Sequence, residues 1–282
     1  MLKNLGKSFL WLLLYFALSS IGFIGAMVVV LATGVVQFPN VEDAEALSKA
    51  ITDIVMTATV PGLLVSAILC ILVFLVYKVV RKKQFDIKAI RWKESVYFAS
   101  LTAFMSSAVV LFLSLISAVV PAWLFEAHEG ATTDMIGDTP FWLTLLTVGI
   151  MVPIMEEIIF RYGIHGTLSR SNVLVGYLVS SLLFGLIHGN LIQFVYTAVL
   201  GFAMAMAYSK GQNIWYSFFM HIAFNTVSVF GMLFGGNIWY FVVIGVVALA
   251  INIFFFFKFK RIRDVLKYNP KSVEACKEAR IS

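Results

Sequence analysis

Long apolar runs separated by short polar segments organise the whole chain. Apolar runs at 8–36, 54–77, 96–120, 141–168, 173–188, 191–209, 213–233 and 237–257 approach or exceed the ~20 residues a helix needs to cross ~30 Å of hydrocarbon, except the fifth, which is short. The pattern predicts an all-α, polytopic membrane helix bundle of about eight transmembrane helices in one domain, because only internally satisfied backbones are stable in lipid. There is no fixed-period repeat and no low-complexity region. Three blocks are expected: scaffold helices at 1–139, helices carrying polar groups at 140–233, and a last span with a basic tail at 234–282.

Composition agrees with the pattern. The 282 residues are 61% hydrophobic and 13% charged, with a mean hydropathy of +0.93, which no soluble globular domain needs. The net charge of +6 matters less than its placement. Basic residues crowd the loop from Lys78 to Lys93 and the tail from Lys258. The loops at 37–53 and 121–140 are acidic and hold a single lysine, Lys49. Eight spans with both termini inside put nearly every Lys and Arg on the cytoplasmic face, as the positive-inside rule requires. The expected location is a cell membrane, with the compact chain and its charge layout pointing to a bacterial plasma membrane. Juxtamembrane cations suit anionic headgroups rather than nucleic acid.

Several segments carry narrower expectations. Lys3 and Lys7 precede a run too long for a cleavable signal, so a retained anchor is expected. The acidic stretch 42–53 is read as a solvated loop in preference to a short surface helix, and the chain from Lys267 as a polar tail. Cys70 and Cys276 lie in different environments, so no disulfide is expected. Spans 1 to 3 hold no charge in the hydrocarbon and read as scaffold. Trp11, Trp92, Trp142, Trp215 and Trp239 fall near span ends, where indoles anchor at the interface.

Against this background three short motifs stand out: Glu156-Glu157-x-x-x-Arg161, Phe184-x-x-x-His188 and His221-x-x-x-Asn225. Ionisable groups within hydrocarbon are costly and mark function by default. Adjacent Glu156 and Glu157 project about 100° apart on a helix. Glu157 and Arg161, four apart, are placed to pair, which leaves Glu156 for a cavity. The sequence does not decide between this allocation and the reverse. Pro153, one turn before, predicts a bend beside that cavity. A glutamate able to take a proton, with His and Asn donors for an oxyanion, is a set suited to amide hydrolysis. On straight helices Glu156 lies roughly 22 Å from the outer end of its span, His221 roughly 12 Å and His188 roughly 22 Å from the inner ends of theirs, so the two histidines disagree in depth by about 10 Å. Phe184 reads as packing. His165 is expected near the cytoplasmic interface and His128 in solvent. Asn190, Gln193 and Asn252 read as capping or interhelical groups.

The three motifs, in this order on successive apolar helices, resemble the pattern of the CPBP intramembrane protease family, which includes CAAX prenyl endopeptidases and bacteriocin-processing or self-immunity proteins. The resemblance covers roughly 140–233. It implies that Glu156, with His188, activates a water; that His221 and Asn225 stabilise the oxyanion; and that Glu157 and Arg161 support the geometry. Family members are often called metalloproteases, and a metal-free glutamate mechanism is also argued for them. Two histidines and a glutamate are possible zinc ligands, but no single-helix His-Glu-x-x-His pair is present, so the cofactor is open and the metal-free mechanism is preferred. The expected activity is endoproteolysis of a peptide or membrane-associated protein near the cytoplasmic half of the bilayer, with Lys82 and Lys83 on a basic rim that attracts carboxylates. The competing classes are a non-catalytic scaffold or bacteriocin immunity factor and, less favoured, a transporter.

Overall fold

The computed structural model describes residues 1–37, 39, 43–81, 90–136 and 139–266, with the backbone alone at 129 and 131–136. Every regular element among them is helical: α1 Leu2–Thr33, α2 Ala44–Val80, α3 Trp92–Ile116, α4 Ala122–Ile136, α5 Phe141–Leu168, α6 Val173–Leu186, α7 Leu191–Gly211, α8 Ile214–Leu233, α9 Ile238–Lys258 and α10 Lys260–Leu266. Seven of these, all but α4, α6 and α10, are long and apolar enough to cross a membrane. The expected polytopic all-α bundle is the observed one. Lys82, Lys83, the tail from Lys267 and Cys276 lie outside the described residues; Cys70 is a free, buried thiol.

Three differences from the sequence reading have local causes. Residues 44–53 are the first turns of α2, not a loop: Asp43 caps the helix by accepting from Ala46 N at 3.0 Å, Glu45 suits the positive end of the dipole, and Ala50 and Ile54 bury. The 121–140 loop contains α4, which packs against α2 and α7. The fifth apolar run forms only 14 helical residues, roughly 21 Å, because it stops at Leu186 and turns through Gly189, whose φ of 76° is left-handed.

Packing follows from where small residues fall. In α1, Leu18, Gly22, Ala26 and Val30 bury at intervals of four. In α2 the same interval runs Ala50, Ile54, Ala58, Gly62, Ser66, Cys70 and Phe74. Such small-residue ladders let membrane helices approach closely. A Cβ on Gly22 would lie 2.5 Å from the Gly62 carbonyl oxygen, so the α1–α2 crossing depends on this glycine. Helix α3 instead offers hydroxyls to α8: Thr102 Oγ1 donates to Met220 O at 2.7 Å and Ser106 Oγ to Phe224 O at 3.2 Å. These two carbonyls bracket His221. Within their expected bounds spans 1 to 3 hold no buried acid; the buried charge falls two residues before the third. Glu94, in the first turn of α3, is buried and pairs with Arg261 at 2.9 Å.

Helix ends that are remote in sequence meet at one end of the bundle. Asn4 Nδ2 donates to Ser171 Oγ at 2.7 Å, Arg261 pairs with Glu94, and Lys210 Nζ donates to Leu266 O at 2.9 Å. The starts of α1, α3 and α6 therefore lie with the end of α7 and with α10, and this is the basic end of the molecule.

Candidate active site

Helix α5 carries the carboxylates and is irregular around them. Its 145–151 and 158–165 segments are π-helical, and Glu156 and Glu157 sit in the short α-segment Val152–Glu157 between them. Pro153 brings no N–H to the ladder. Just before it, Val152 N–H reaches five residues back, to Thr147 O. Such wide turns recur at functional sites because they redirect side chains without ending the helix.

The two glutamates divide as their 100° separation suggests. Glu157 and Arg161 are completely buried, and Arg161 Nε lies 3.1 Å from Glu157 Oε2. The guanidinium also sits over the Phe184 ring, 4.6 Å from its centroid, an arrangement that favours a desolvated cation. Gly201 makes room for it: a Cβ there would approach Phe184 to 3.0 Å and Arg161 Nη2 to 3.4 Å. Glu156, 6% exposed, faces a pocket of about 310 Å³ that it shares with His188, His221 and Asn225.

His221 links the two carboxylates. Its Nδ1–H donates to Glu157 Oε1 at 3.0 Å, and its Nε2 lies 3.5 Å from Glu156 Oε2. This is the arrangement in which a buried carboxylate fixes an imidazole's orientation and leaves the other nitrogen for chemistry. His188 stands just beyond the end of α6, and its Nδ1–H donates to Phe184 O at 2.8 Å. Its Nε2 is then an acceptor. Asn225 Nδ2 donates to Val148 O at 2.9 Å, and the second amide hydrogen is not used in that bond. Phe184 does more than pack: its ring meets His188 at 5.0 Å and His221 at 5.4 Å, both edge-on. The 10 Å difference in depth between the histidines, expected from straight helices, is absent. The short α6 ends beside the middle of α8.

The rest of the pocket was not legible in the motifs. Tyr15 of α1, Leu63 of α2, and Gln193, Tyr196 and Thr197 of α7 complete the wall. The nearest signal was Asn190, which caps α7 by accepting from Gln193 N at 2.8 Å. His128 is half-buried with its ring 6.0 Å from Tyr196, so α4 stands next to the pocket and the solvated reading is corrected. His165 is fully buried near the basic end, bonded to Ser209 at 2.6 Å and stacked on Tyr177, and it takes no part in the site. Asn252 is interhelical as expected, donating to Tyr97 O at 3.0 Å.

The lining also sets a direction. On α5 it runs from Glu156 back to Val148, and on α8 from His221 forward to Met232. Both lead away from the basic end. No Lys or Arg is among the described residues that line this pocket, and Lys82 and Lys83, which the expected basic rim rests on, lie outside the described residues. Among the described residues no three His, Cys, Asp or Glu side chains group as metal ligands. The Nδ1 of His221 is committed to Glu157 and that of His188 to its own turn. Both Nε2 atoms stay open, the pattern of histidines that hold a metal as well as of those that orient a water.

A helical membrane bundle with a buried Glu–Glu–Arg–His cluster opening on an apolar pocket defines a narrow class of protein. Residues 138–227, which hold all seven motif residues, match the Rce1-like profile, described as type II CAAX prenyl endopeptidase Rce1-like. The chain is 31% identical over 143 residues to "Putative membrane peptidase YdiL" of Bacillus subtilis (strain 168), covering 49% of this chain and 58% of that one. It is 30% identical over 157 residues to "UPF0177 protein YxdF" of Lactococcus lactis subsp. lactis (strain IL1403), covering 55% of this chain and 80% of that one. The chain belongs to the CPBP family of membrane proteins. It spans less than two thirds of the length of the Bacillus relative. No solved structure matches it at a significant level.

Proposed function

We propose that the protein is an intramembrane endopeptidase in which Glu156, not a metal, activates the attacking water. One observation carries the reading: four polar groups from α5, α8 and the α6–α7 turn converge on a single pocket, while the Glu157–Arg161 pair is sealed behind it. The family membership and the relative described as a membrane peptidase support a protease.

In this reaction a water sits between the Glu156 carboxylate and His188 Nε2. Glu156 takes the proton as the oxygen bonds to the substrate carbonyl carbon. The resulting oxyanion accepts from the remaining Asn225 N–H and from His221 Nε2–H, with the imidazolium held by Glu157 through Nδ1. Collapse breaks the C–N bond, and Glu156 returns its proton to the leaving nitrogen. Glu157 and Arg161 are positioning residues: they touch His221 and Phe184, not the substrate.

The pocket walls include Leu63, Val148, Val152, Ile187, Leu200, Phe224, Val229 and Met232, which suits an extended apolar segment of a peptide or membrane-associated protein. Location in a bacterial plasma membrane with cytoplasmic termini follows from the clustering of cations at one end. Such a placement directs the pocket away from the cytoplasmic face.

Comparative peptidomics of membranes carrying wild-type or Glu156→Ala protein at equal abundance tests the proposal. Cleavage products that vanish in Glu156→Ala and His188→Ala are expected. Identical peptide profiles with full biological function in both variants would instead make the chain a binding scaffold.

A further inference from the structure

A second cavity lies toward the basic end of the molecule, beyond the Glu157–Arg161 pair from the Glu156 pocket. It holds about 180 Å³ and is lined by Trp11, Tyr77, Lys78, Tyr162, Gly166, Thr167, Arg170 and Tyr208, from α1, α2, α5 with the turn after it, and α7. Among the described residues that line it are two cations and several hydroxyl groups, and no Asp or Glu. Nearly every polar side-chain atom that these residues bring to the wall can donate a hydrogen bond. Lys78 is held in place by aromatic faces, its Nζ lying 5.4 Å from the Tyr162 centroid and 5.9 Å from that of Phe74. Trp11 packs edge-on to Tyr77 at 5.9 Å and to Tyr162 at 6.1 Å.

We propose that this pocket binds the phosphate of an anionic phospholipid headgroup. The volume is about six waters' worth at ~30 Å³ each, which suits a phosphate ester and excludes acyl chains. Apolar surface for those chains flanks the pocket on α2, where Val73 and Val80, one turn either side of Tyr77, are exposed. Trp and Tyr around a cation at a helix end is the composition of the membrane interface, and basic pockets between helices on that side hold anionic headgroups. The bound lipid would join α1 and α2 to α5, one residue beyond Arg161, without touching the reacting groups.

The test is native mass spectrometry of the full chain released from nanodiscs of mixed phosphatidylglycerol and phosphatidylcholine. Wild-type protein is expected to retain phosphatidylglycerol preferentially. Lys78→Gln and Arg170→Gln should each lower that preference roughly fivefold, and the double variant should lower it further. The charge-preserving pair Lys78→Arg with Arg170→Lys should keep it, which separates charge from misfolding. An unchanged preference in the double Gln variant overturns the proposal. So does a second result, in detergent: inorganic phosphate that raises the melting temperature of wild type but not of the double variant, while lipid preference is the same in both. That outcome would assign the pocket to a soluble anion.

Discussion

Replacing Glu157 by Gln tests the division of labour between the two adjacent glutamates. Glu157 is fully buried and has two charged or chargeable neighbours, Arg161 Nε at 3.1 Å and His221 Nδ1 at 3.0 Å. Gln keeps the shape and removes the charge, so a guanidinium with 0% exposure loses its counter-ion. Removing one partner of a buried pair costs about 3–5 kcal/mol, because the other charge remains desolvated. Glu156→Gln should behave differently. Its carboxylate touches only the edge of hydrogen-bonding range, 3.5 Å from His221, and borders the pocket, so its neutralisation should change stability by less than about 1 kcal/mol. Unfolding in mixed micelles, with helix loss followed by circular dichroism, measures both. Glu157→Gln with Arg161→Met should recover most of the loss, since an apolar replacement of the whole pair leaves no orphan charge. Equal stabilities for Glu156→Gln and Glu157→Gln would refute the assignment of Glu157 to the structural pair.

Further outcomes follow from the same geometry. His188→Ala should reduce turnover by about 10²–10⁴-fold and leave the melting temperature nearly unchanged, since its ring bonds only to the carbonyl of its own turn; a stability loss matching the activity loss would argue against a catalytic part. Gly22→Val should destabilise by more than about 3 kcal/mol or prevent assembly, because its Cβ would meet Gly62 backbone; expression at wild-type level and stability would contradict the close crossing. Thr102→Val removes a 2.7 Å bond to Met220 O and should cost about 1 kcal/mol, read as a shift of the same unfolding curve. Proteolysis assayed with and without a strong zinc chelator should give equal rates; loss on chelation with recovery on added zinc would replace the glutamate mechanism.

The sequence alone settled what depends on composition and short spacing. Apolar run lengths gave the polytopic all-α bundle, because lipid permits few other structures. Four-residue spacing on one helix offered Glu157 and Arg161 as a pair without deciding which glutamate faces the cavity, and three ordered motifs marked the residues in and behind the pocket. Tertiary structure decided what depends on distances across helices. It assigned Glu156 to the pocket, committed His221 to both carboxylates, and brought His188 to their level by ending α6 after 14 residues. It also aimed the pocket away from the basic end and recruited Tyr15, Leu63 and Gln193 to its wall. No motif could announce those walls: an apolar or amide side chain looks the same in sequence whether it faces lipid, a neighbouring helix or a cavity. Only the packing of small residues such as Gly22, Gly62 and Gly201 fixes which backbones come close enough to choose.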